Sequence, residues 1–426
     1  MGIKETLAYI HNVKWQGLKP GLERTRALLA ALGNPEKDLK FVHIAGTNGK
    51  GSTAACIAAV LQQAGYRTGL YTSPYIIRFN ERMQVNGEQI SDEELECLTD
   101  EIRPFADAMD ESPTEFELIT ALAMKHFKNK DCDIVVLEVG MGGALDSTNV
   151  IDTPEVAVIA SIGYDHVQEL GPTIVDIAGA KAGIIKNDSD VVVYRGLPEV
   201  EEVFEQVAAK HNAKLRKVDF SRISKQEFTL DGIKLKIEPY SETLLQLNGV
   251  YQPKNATLAV SALEILREKG YTIADDDIVK GLAKASWPGR FEVLGRNPTF
   301  ILDGAHNPQG VEATAESLKA NFAEQKIIFV VGVMADKDVD SMIKYIAPLA
   351  KVFIAVRPNY PRAMDAALLA EKLSHYAVPA QAAGSVEDGV AEALHMAGDD
   401  GVVCALGSLY FSADIRNAYI STSSSK

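Results

Sequence analysis

The sequence predicts an α/β protein of two domains built on parallel sheets, and three observations predict it. The apolar run FVHIA (Phe41–Ala45) leads straight into the glycine loop GTNGKGS (Gly46–Ser52) and a helix-forming stretch that ends at Gly65. Short apolar runs then alternate with helical stretches through both halves of the chain. Between the halves, SWPGRFEVLGRNP (Ser286–Pro298) carries two prolines, two glycines and no long period. Strand–loop–helix–strand units build parallel sheets, and a break rich in Pro and Gly marks a domain boundary.

In chain order, YRTGLYTS (Tyr66–Ser73) reads as the second strand. Further strands are expected at DIVVLEVG (Asp133–Gly140), PEVAVIASIG (Pro154–Gly163) and SDVVVYRG (Ser189–Gly196). Residues Asn212–Leu247 differ: short alternating runs surround an Asp231-Gly232 turn, which predicts a β-hairpin insertion. A helix from about Asn255 to Glu268 closes a first domain of residues 1–290. Beyond it, strands are expected at TFILD, KIIFVVG, KVFIAV and GVVCALG, with helices beginning near Pro308, Val339, Asp365, Val386 and Ser408. Residues 291–426 then form a smaller, Rossmann-like α/β domain. Only the tail Ser421–Lys426 is Ser-rich.

Composition narrows the function. The 426 residues are 46% hydrophobic and 24% charged, a globular mixture that excludes wholesale disorder. A net charge of −15 argues against a nucleic-acid partner, yet leaves room for a small anion held by backbone N–H groups. Cys56, Cys97, Cys132 and Cys404 lie far apart with no CxxC spacing, so they read as free thiols in a reducing compartment, and a cytoplasmic location is expected. No apolar run approaches the roughly 18 residues of a membrane helix, so no membrane partner is expected. The N-terminus lacks a signal-peptide core, and the match of Gly2 and Thr6 to the loose myristoylation pattern reads as chance.

The glycine loop is the strongest chemical signal. Its glycines let N–H groups converge on a phosphate, and the helix that follows adds its positive N-terminus. Lys50 can reach the β/γ-phosphates, and a hydroxyl of Ser52 or Thr53 can approach a metal or a phosphate. The match to the general phosphate-loop pattern is imperfect, because the first glycine is too close and Gly51 stands where Ser or Thr is expected.

Glu138 ends a strand, at the sheet edge where ligands bind and where magnesium takes its few carboxylates. The glycine-rich run VGMGGALDSTN follows it and suits a loop closing over a ligand. His166 follows the next strand, with Asp165 as an alternative ligand in the same turn. Lys181, in IAGAKAGIIK, is either a snorkelling surface lysine or a partly buried, modified or metal-adjacent one. Asp303, His306 and Asn307 in ILDGAHNPQG crowd a strand exit in the second domain, where Asn307 and Pro308 also suit a helix start. The two aromatics of SLYFSADIR read as core packing.

Seven stretches in order resemble one family: HIAGTNGKGST, YTSPYIIRFNERMQVNG, LEVGMGGALDSTN, SIGYDHVQELGPTIVDIAGAKAGIIK, WPGRFE, LDGAHNP and ALGSLYFSADIR. They are similar to the folylpolyglutamate synthase/dihydrofolate synthase family of Mur-ligase-like ATP-dependent amide ligases. The resemblance implies that the γ-phosphoryl of ATP passes to a folate or dihydropteroate carboxylate, and that the amine of L-glutamate displaces phosphate from the acyl phosphate. It implies that Thr47, Asn48, Gly49, Lys50, Gly51 and Ser52 cradle ATP phosphates, and that Ser73, Glu138 and His166 hold Mg2+. It makes Lys181 a carbamylated lysine and admits K+ as a further cation. It assigns Asn255, Arg290 and Asp303 to the adenosine end, and sets His306 near the transferred phosphoryl group. Thr114, Glu115, Phe116 and Glu117, with Leu145, Asp146 and Ser147, would contact the pteridine. Lys50, Lys181, Asp303 and His306 are the catalytic candidates, and a monomer is expected.

The chain departs from the family pattern at Ala144, where Arg is common, at Ala180, where Glu is common, and at Tyr75, where His is frequent. The rivals are another Mur-type amino-acid ligase, a phosphate-loop switch protein and a non-catalytic nucleotide-binding module. A GTPase needs an Asn-Lys-x-Asp base reader, and Asn129-Lys130-Asp131-Cys132 fails at its last position. The presence of Lys50, Glu138, His166, Asp303 and His306 together counts against the degenerate module.

Overall fold

The computed structural model describes residues 2–12 and 21–423; the end of the Ser-rich tail lies outside them. The chain divides into two compact units. One comprises Met1–Ser224, Lys236–Thr243 and Lys254–Ala285, the other Lys225–Leu235, Leu244–Pro253 and Ser286–Lys426.

The first unit is built on an eight-stranded sheet. Its strands are β1 (Phe41–Ala45), β2 (Thr68–Tyr71), β3 (Met83–Val85), β4 (Glu88–Gln89), β5 (Ile134–Glu138), β6 (Val156–Ile159), β7 (Asp190–Val193) and β8 (Lys214–Lys217), in the order β4-β3-β2-β5-β1-β6-β7-β8. From β2 to β8 every pairing is parallel, while β3 and β4 add an antiparallel hairpin at the β2 edge. Strands β1, β5 and β6 are buried along their whole length. That is why they read as unbroken apolar runs rather than alternating ones. After β1 the chain turns to β2 on one side, and after the adjacent β6 it turns to β7 on the other. The carboxyl ends of β1 and β6 therefore form a switch point, where ligand crevices open in such sheets.

Helices Ile3–His11, Glu23–Ala31, Asp92–Asp107 and Glu115–Asn129, which the sequence reading does not place, share a core with Phe41, Tyr71, Val135 and Leu137. Helices Ile174–Ala182 and Pro198–Lys210 share another with Ala157, Ile159, Val191 and Val193. The glycine-loop helix, Lys50–Gln63, packs on helix Asp275–Lys284. A Cβ on Gly281 would lie 2.5 Å from the Val60 Cα, so only glycine allows this approach.

Strands β9 (Ile223–Thr229), β10 (Gly232–Ile237) and β11 (Thr243–Leu245) form a separate small sheet in the order β11-β10-β9. The segment Lys214–Lys217, read from sequence as part of this insertion, instead extends the main sheet as β8. It is an edge strand, with Lys214 exposed and Leu215, Arg216 and Lys217 half-buried, so its polar pattern resembles a surface hairpin. The parts of the insertion grouped with the second unit are tied there by the Arg296–Asp231 ion pair and the Asn248 amide on the Leu230 carbonyl.

The second unit carries β12 (Glu292–Arg296), β13 (Thr299–Leu302), β14 (Ile327–Val331), β15 (Ala350–Ala355), β16 (Ala380–Ala382) and β17 (Val402–Leu406), in the order β12-β13-β17-β14-β15-β16. All pairs are parallel except β12 with β13. Strand β12 lies in the stretch read from sequence as patternless. Among the described residues no helix is long and apolar enough to cross a membrane, and all four cysteines are free thiols, with only Cys97 exposed.

Replacing Gly281 by valine should force the two helices apart and cost about 1–3 kcal/mol. Urea denaturation of Gly281→Val against wild type measures this, and an unchanged midpoint would show that the contact yields freely.

Candidate nucleotide and substrate site

The glycine loop leaves β1 in a conformation few side chains tolerate. Gly46 has φ +149°, and a Cβ there would lie 2.8 Å from the Ala160 Cβ. Gly49 has φ +90°, and its Cβ would lie 2.6 Å from the Asn255 Oδ1. Asn255, on the helix Gln252–Glu268, is buried directly against the loop. The loop is laced to the segment after β6. The Thr47 N–H donates to the Ser161 carbonyl at 2.8 Å, and the Thr47 hydroxyl to the Gly163 carbonyl at 3.0 Å. The helix then starts at Lys50, so its first-turn N–H groups point back toward the loop, an anion-binding arrangement.

Two lysines converge on one oxygen. The Lys50 Nζ donates to the Gly46 carbonyl at 3.1 Å and to that of Thr47 at 3.3 Å. The Lys181 Nζ donates to the same Gly46 carbonyl at 2.9 Å. Lys181 is 4% exposed, which overturns the snorkelling alternative. Burial, and then the neighbouring Lys50 charge, push its ammonium down to about 7, against the pull of Asp165 and Asp146.

Glu138 ends β5, buried, in register with Ile44 of β1 and so two residues from the glycine loop. Its Oε2 accepts the Ser73 N–H at 3.1 Å, and the Ser73 hydroxyl accepts from the Arg82 guanidinium at 3.0 Å. Two of the three expected metal ligands therefore stand together. His166 follows β6, exposed, with φ +50°, at the start of the short helix Val167–Leu170. Among the described residues no three His, Cys, Asp or Glu side chains gather as a metal site. A buried carboxylate beside a hydroxyl is nonetheless donor chemistry that fits magnesium, which takes few protein ligands and completes its shell with water and phosphate.

The expected pteridine contacts divide by what they already do. Thr114 and Glu117 form the capping box of helix Glu115–Asn129, and Arg24 grips the Glu117 carboxylate through two bonds of 2.8 and 3.0 Å. Glu115 meets His11 at the surface. Phe116 lies over Gly140, where a Cβ would come 2.5 Å from the ring. In the next loop Leu145 is 59% exposed, whereas Asp146 and Ser147 are buried. Ala144 and Ala180 are neighbours, joined by a 3.0 Å bond from the Ala144 N–H to the Ala180 carbonyl.

In the second unit, Asp303 follows β13 and is buried. Its carboxylate accepts the Ala305 N–H at 2.9 Å and the Thr314 hydroxyl at 3.1 Å. Burial pushes this carboxyl up, and the Arg290 guanidinium pulls it back. The Tyr251 hydroxyl also bonds to it, and burial raises that phenol well above its ordinary range. The His306 Nδ1 donates to the Gly304 carbonyl at 2.8 Å, which assigns its proton to Nδ1 when neutral. Asn307 caps helix Pro308–Asn321. Arg290, with Trp287 and Asn248, lines a cavity of about 430 Å³. Of the two aromatics in SLYFSADIR, Phe411 is core, but Tyr410 is 45% exposed and stacks on Tyr360 with ring centroids 4.4 Å apart. Sequence reasoning missed Arg24, His43, Arg82 and Tyr251. Only His43, which opens the quoted HIAGTNGKGST stretch, and Arg82, inside YTSPYIIRFNERMQVNG, offered a signal.

Residues 44–263 match the Mur ligase middle domain, and residues 289–409 the Mur ligase glutamate ligase domain. Fold and site thus define an ATP-dependent amide-forming ligase of the Mur type. The chain is 40% identical to the dihydrofolate synthase/folylpolyglutamate synthase of Bacillus subtilis, over 97% of its own length and 98% of the relative's. A Mycobacterium tuberculosis folylpolyglutamate synthase complexed with ADP superposes with a TM-score of 0.91 at 31% identity, covering 98% of both chains. An Escherichia coli enzyme solved with DHPP and ADP gives a TM-score of 0.88 at 29% identity, covering 99% of this chain and 98% of that one. The chain belongs to the folylpolyglutamate synthase/dihydrofolate synthase family, and it is an ATP-dependent ligase that joins glutamate to folates.

Lys181 gives a pH signature. Its folded pKa lies below its unfolded one, so the unfolded chain binds the extra proton between about pH 7 and the ordinary lysine range. The stability penalty of burying this amine is full below pH 7 and shrinks as pH rises. Relative to wild type, Lys181→Met should therefore gain stability at pH 6.5 and lose most of that advantage by pH 9.5 in urea denaturation, and an advantage independent of pH would overturn this account.

Proposed function

We propose that the chain accepts dihydropteroate as well as folates, and that Lys50 and the glycine-loop N–H groups hold the ATP phosphates while Glu138 and Ser73 supply the protein ligands to Mg2+, with His166 as a third. The observation that carries the reading is the convergence of Lys50 and Lys181 on the Gly46 carbonyl, two residues along β1 from the strand position that pairs with Glu138.

The chemistry follows from the donors. A carboxylate is a poor acyl donor, so its oxygen first takes the γ-phosphoryl group and ADP leaves. Such a transfer is mostly positioning and charge neutralisation. Lys50 and the helix N-terminus supply positive potential at the phosphates, and bound Mg2+ would add Lewis-acid charge there. The glutamate nitrogen then bonds to the acyl carbon, the carbon–oxygen bond to phosphate breaks, and the amine sheds a proton. Asn255, Arg290 and Asp303 bind the nucleotide's adenosine end in this reading, and His306 serves the transferred phosphoryl group.

Lys181 as a carbamate is part of the proposal. An amine lowered to about 7 has a substantial neutral fraction at physiological pH, and only the neutral amine adds to CO2, losing one proton as the N–C bond forms. The product is an anion beside Lys50. K+ is the remaining cation in this reading, the enzyme works as a cytoplasmic monomer, and the pteridine rests on Phe116 and on the loop bearing Leu145, Asp146 and Ser147. DHPP and ADP bound to the Escherichia coli relative support that assignment.

The test is ADP release with dihydropteroate, tetrahydrofolate and its monoglutamyl extension, each with and without glutamate. Release that needs both a pterin and glutamate is expected, and release independent of every pterin defeats the reading. Lys50→Ala should abolish turnover, by about 1,000-fold or more, with circular dichroism unchanged.

A further inference from the structure

We propose that His43, acting through Thr148 on Asp146, is the positioning residue that holds the loop Met141–Ser147 in its substrate-receiving form. The proposal deepens the reading that this loop contacts the pteridine, and it rests on that reading.

His43 sits in the middle of β1, fully buried in an otherwise apolar strand. Its Nε2 lies 2.9 Å from the Thr148 hydroxyl. That hydroxyl lies 2.6 Å from the Asp146 Oδ1, and Thr148 is itself fully buried. The same oxygen accepts the Thr148 N–H at 3.0 Å, and Oδ2 accepts the Met141 N–H at 2.9 Å. The Asp146 carboxylate thus ties both ends of the loop together.

Burial pushes the Asp146 carboxyl up, but the Met141 and Thr148 N–H groups that both its oxygens accept favour the ionised form. An ionised carboxylate accepts only, so the threonine hydrogen goes to Asp146. The hydroxyl then has only lone pairs to offer His43, so Nε2 carries the imidazole proton. Nδ1 is left bare, and it is a buried nitrogen with no hydrogen-bond partner. Burial pushes the imidazole down to about 3, so the ring stays neutral in this one tautomer. A residue that only filled space in β1 needs no such donor. Strand β1 also runs directly into Gly46. One strand therefore anchors the nucleotide loop through its backbone and the pteridine loop through His43.

The experiment compares His43→Asn, His43→Gln, Thr148→Val and Leu145→Ala, reading KM for the pterin substrate, KM for ATP, nucleotide affinity and melting temperature. His43→Asn and Thr148→Val remove the bond to the loop. They should raise the pterin KM about tenfold, with ATP KM and nucleotide affinity within about twofold of wild type. His43→Gln keeps an N–H where Nε2 was and should stay within about threefold. The inference is overturned if the Gln variant fares as badly as Asn. It is equally overturned if both KM values rise together in step with a falling melting temperature. Should His43→Asn not fold, Thr148→Val carries the same comparison with a smaller change of volume. Leu145→Ala separates the two levels: a raised pterin KM there with none in His43→Asn or Thr148→Val sinks the relay and spares the loop, whereas no change in Leu145→Ala sinks the loop reading itself.

Discussion

Two lysine nitrogens share the carbonyl oxygen of Gly46, and the rest of the site is arranged around that constraint. A carbonyl has two lone pairs, so it can accept both donors. Burial first, and then the neighbouring Lys50 charge, leave Lys181 the weaker base of the two. The arrangement persists because the backbone has no slack. Gly46 is pressed on Ala160, Gly49 on Asn255, and Thr47 is tied to Ser161 and Gly163. Lys50 and the helix N-terminus thereby hold positive potential fixed in place on a chain whose net charge is −15. An anion that arrives there meets donors already oriented, so little is spent on reorganisation at the moment of reaction.

The sheet order decides which loops can meet that cradle. With β5 and β6 on either side of β1, the segments after all three emerge together at one edge. Glu138 comes from β5, His166 from the turn after β6, and Ser73 from the turn after β2 one place further out. The helix Glu115–Asn129 adds Phe116 from above Gly140, and its entry is set by the Thr114–Glu117 capping box and the Arg24 clamp. Thr114 and Glu117 are thus occupied in holding the helix start.

The parts legible in sequence were those whose signal is local. β1, β2, β5, β6 and β7 are apolar runs bounded by glycine or turn residues, and Lys50 between two glycines announces a phosphate loop. Elements whose character comes from tertiary position were not legible. β8, KLRK, is polar because it is an edge strand. β12 lies between a proline and a glycine, and β16 has three residues. In sequence Lys181 stands on an apolar helix face and reads as either a surface or a buried lysine, and only the fold shows that it points inward to Gly46. His43 bonds a residue 105 positions away and Arg24 one 93 positions away. No spacing rule reaches so far, because such partners are chosen by the sheet and not by the chain.

The second unit repeats one device with a different outcome. Asp303, like Glu138, is a buried acid just before a glycine-bearing turn at a strand's carboxyl end. Asp303 is filled by the Ala305 N–H, the Thr314 and Tyr251 hydroxyls and the nearby Arg290 charge. Most of this carboxylate's lone pairs are already met by donors, and the Arg290 charge pulls its pKa down against burial. Glu138 accepts the Ser73 N–H through Oε2, beside the Ser73 hydroxyl that accepts from Arg82. Both acids stand at a strand's carboxyl end, and the residues that follow each strand decide which donors its carboxylate meets.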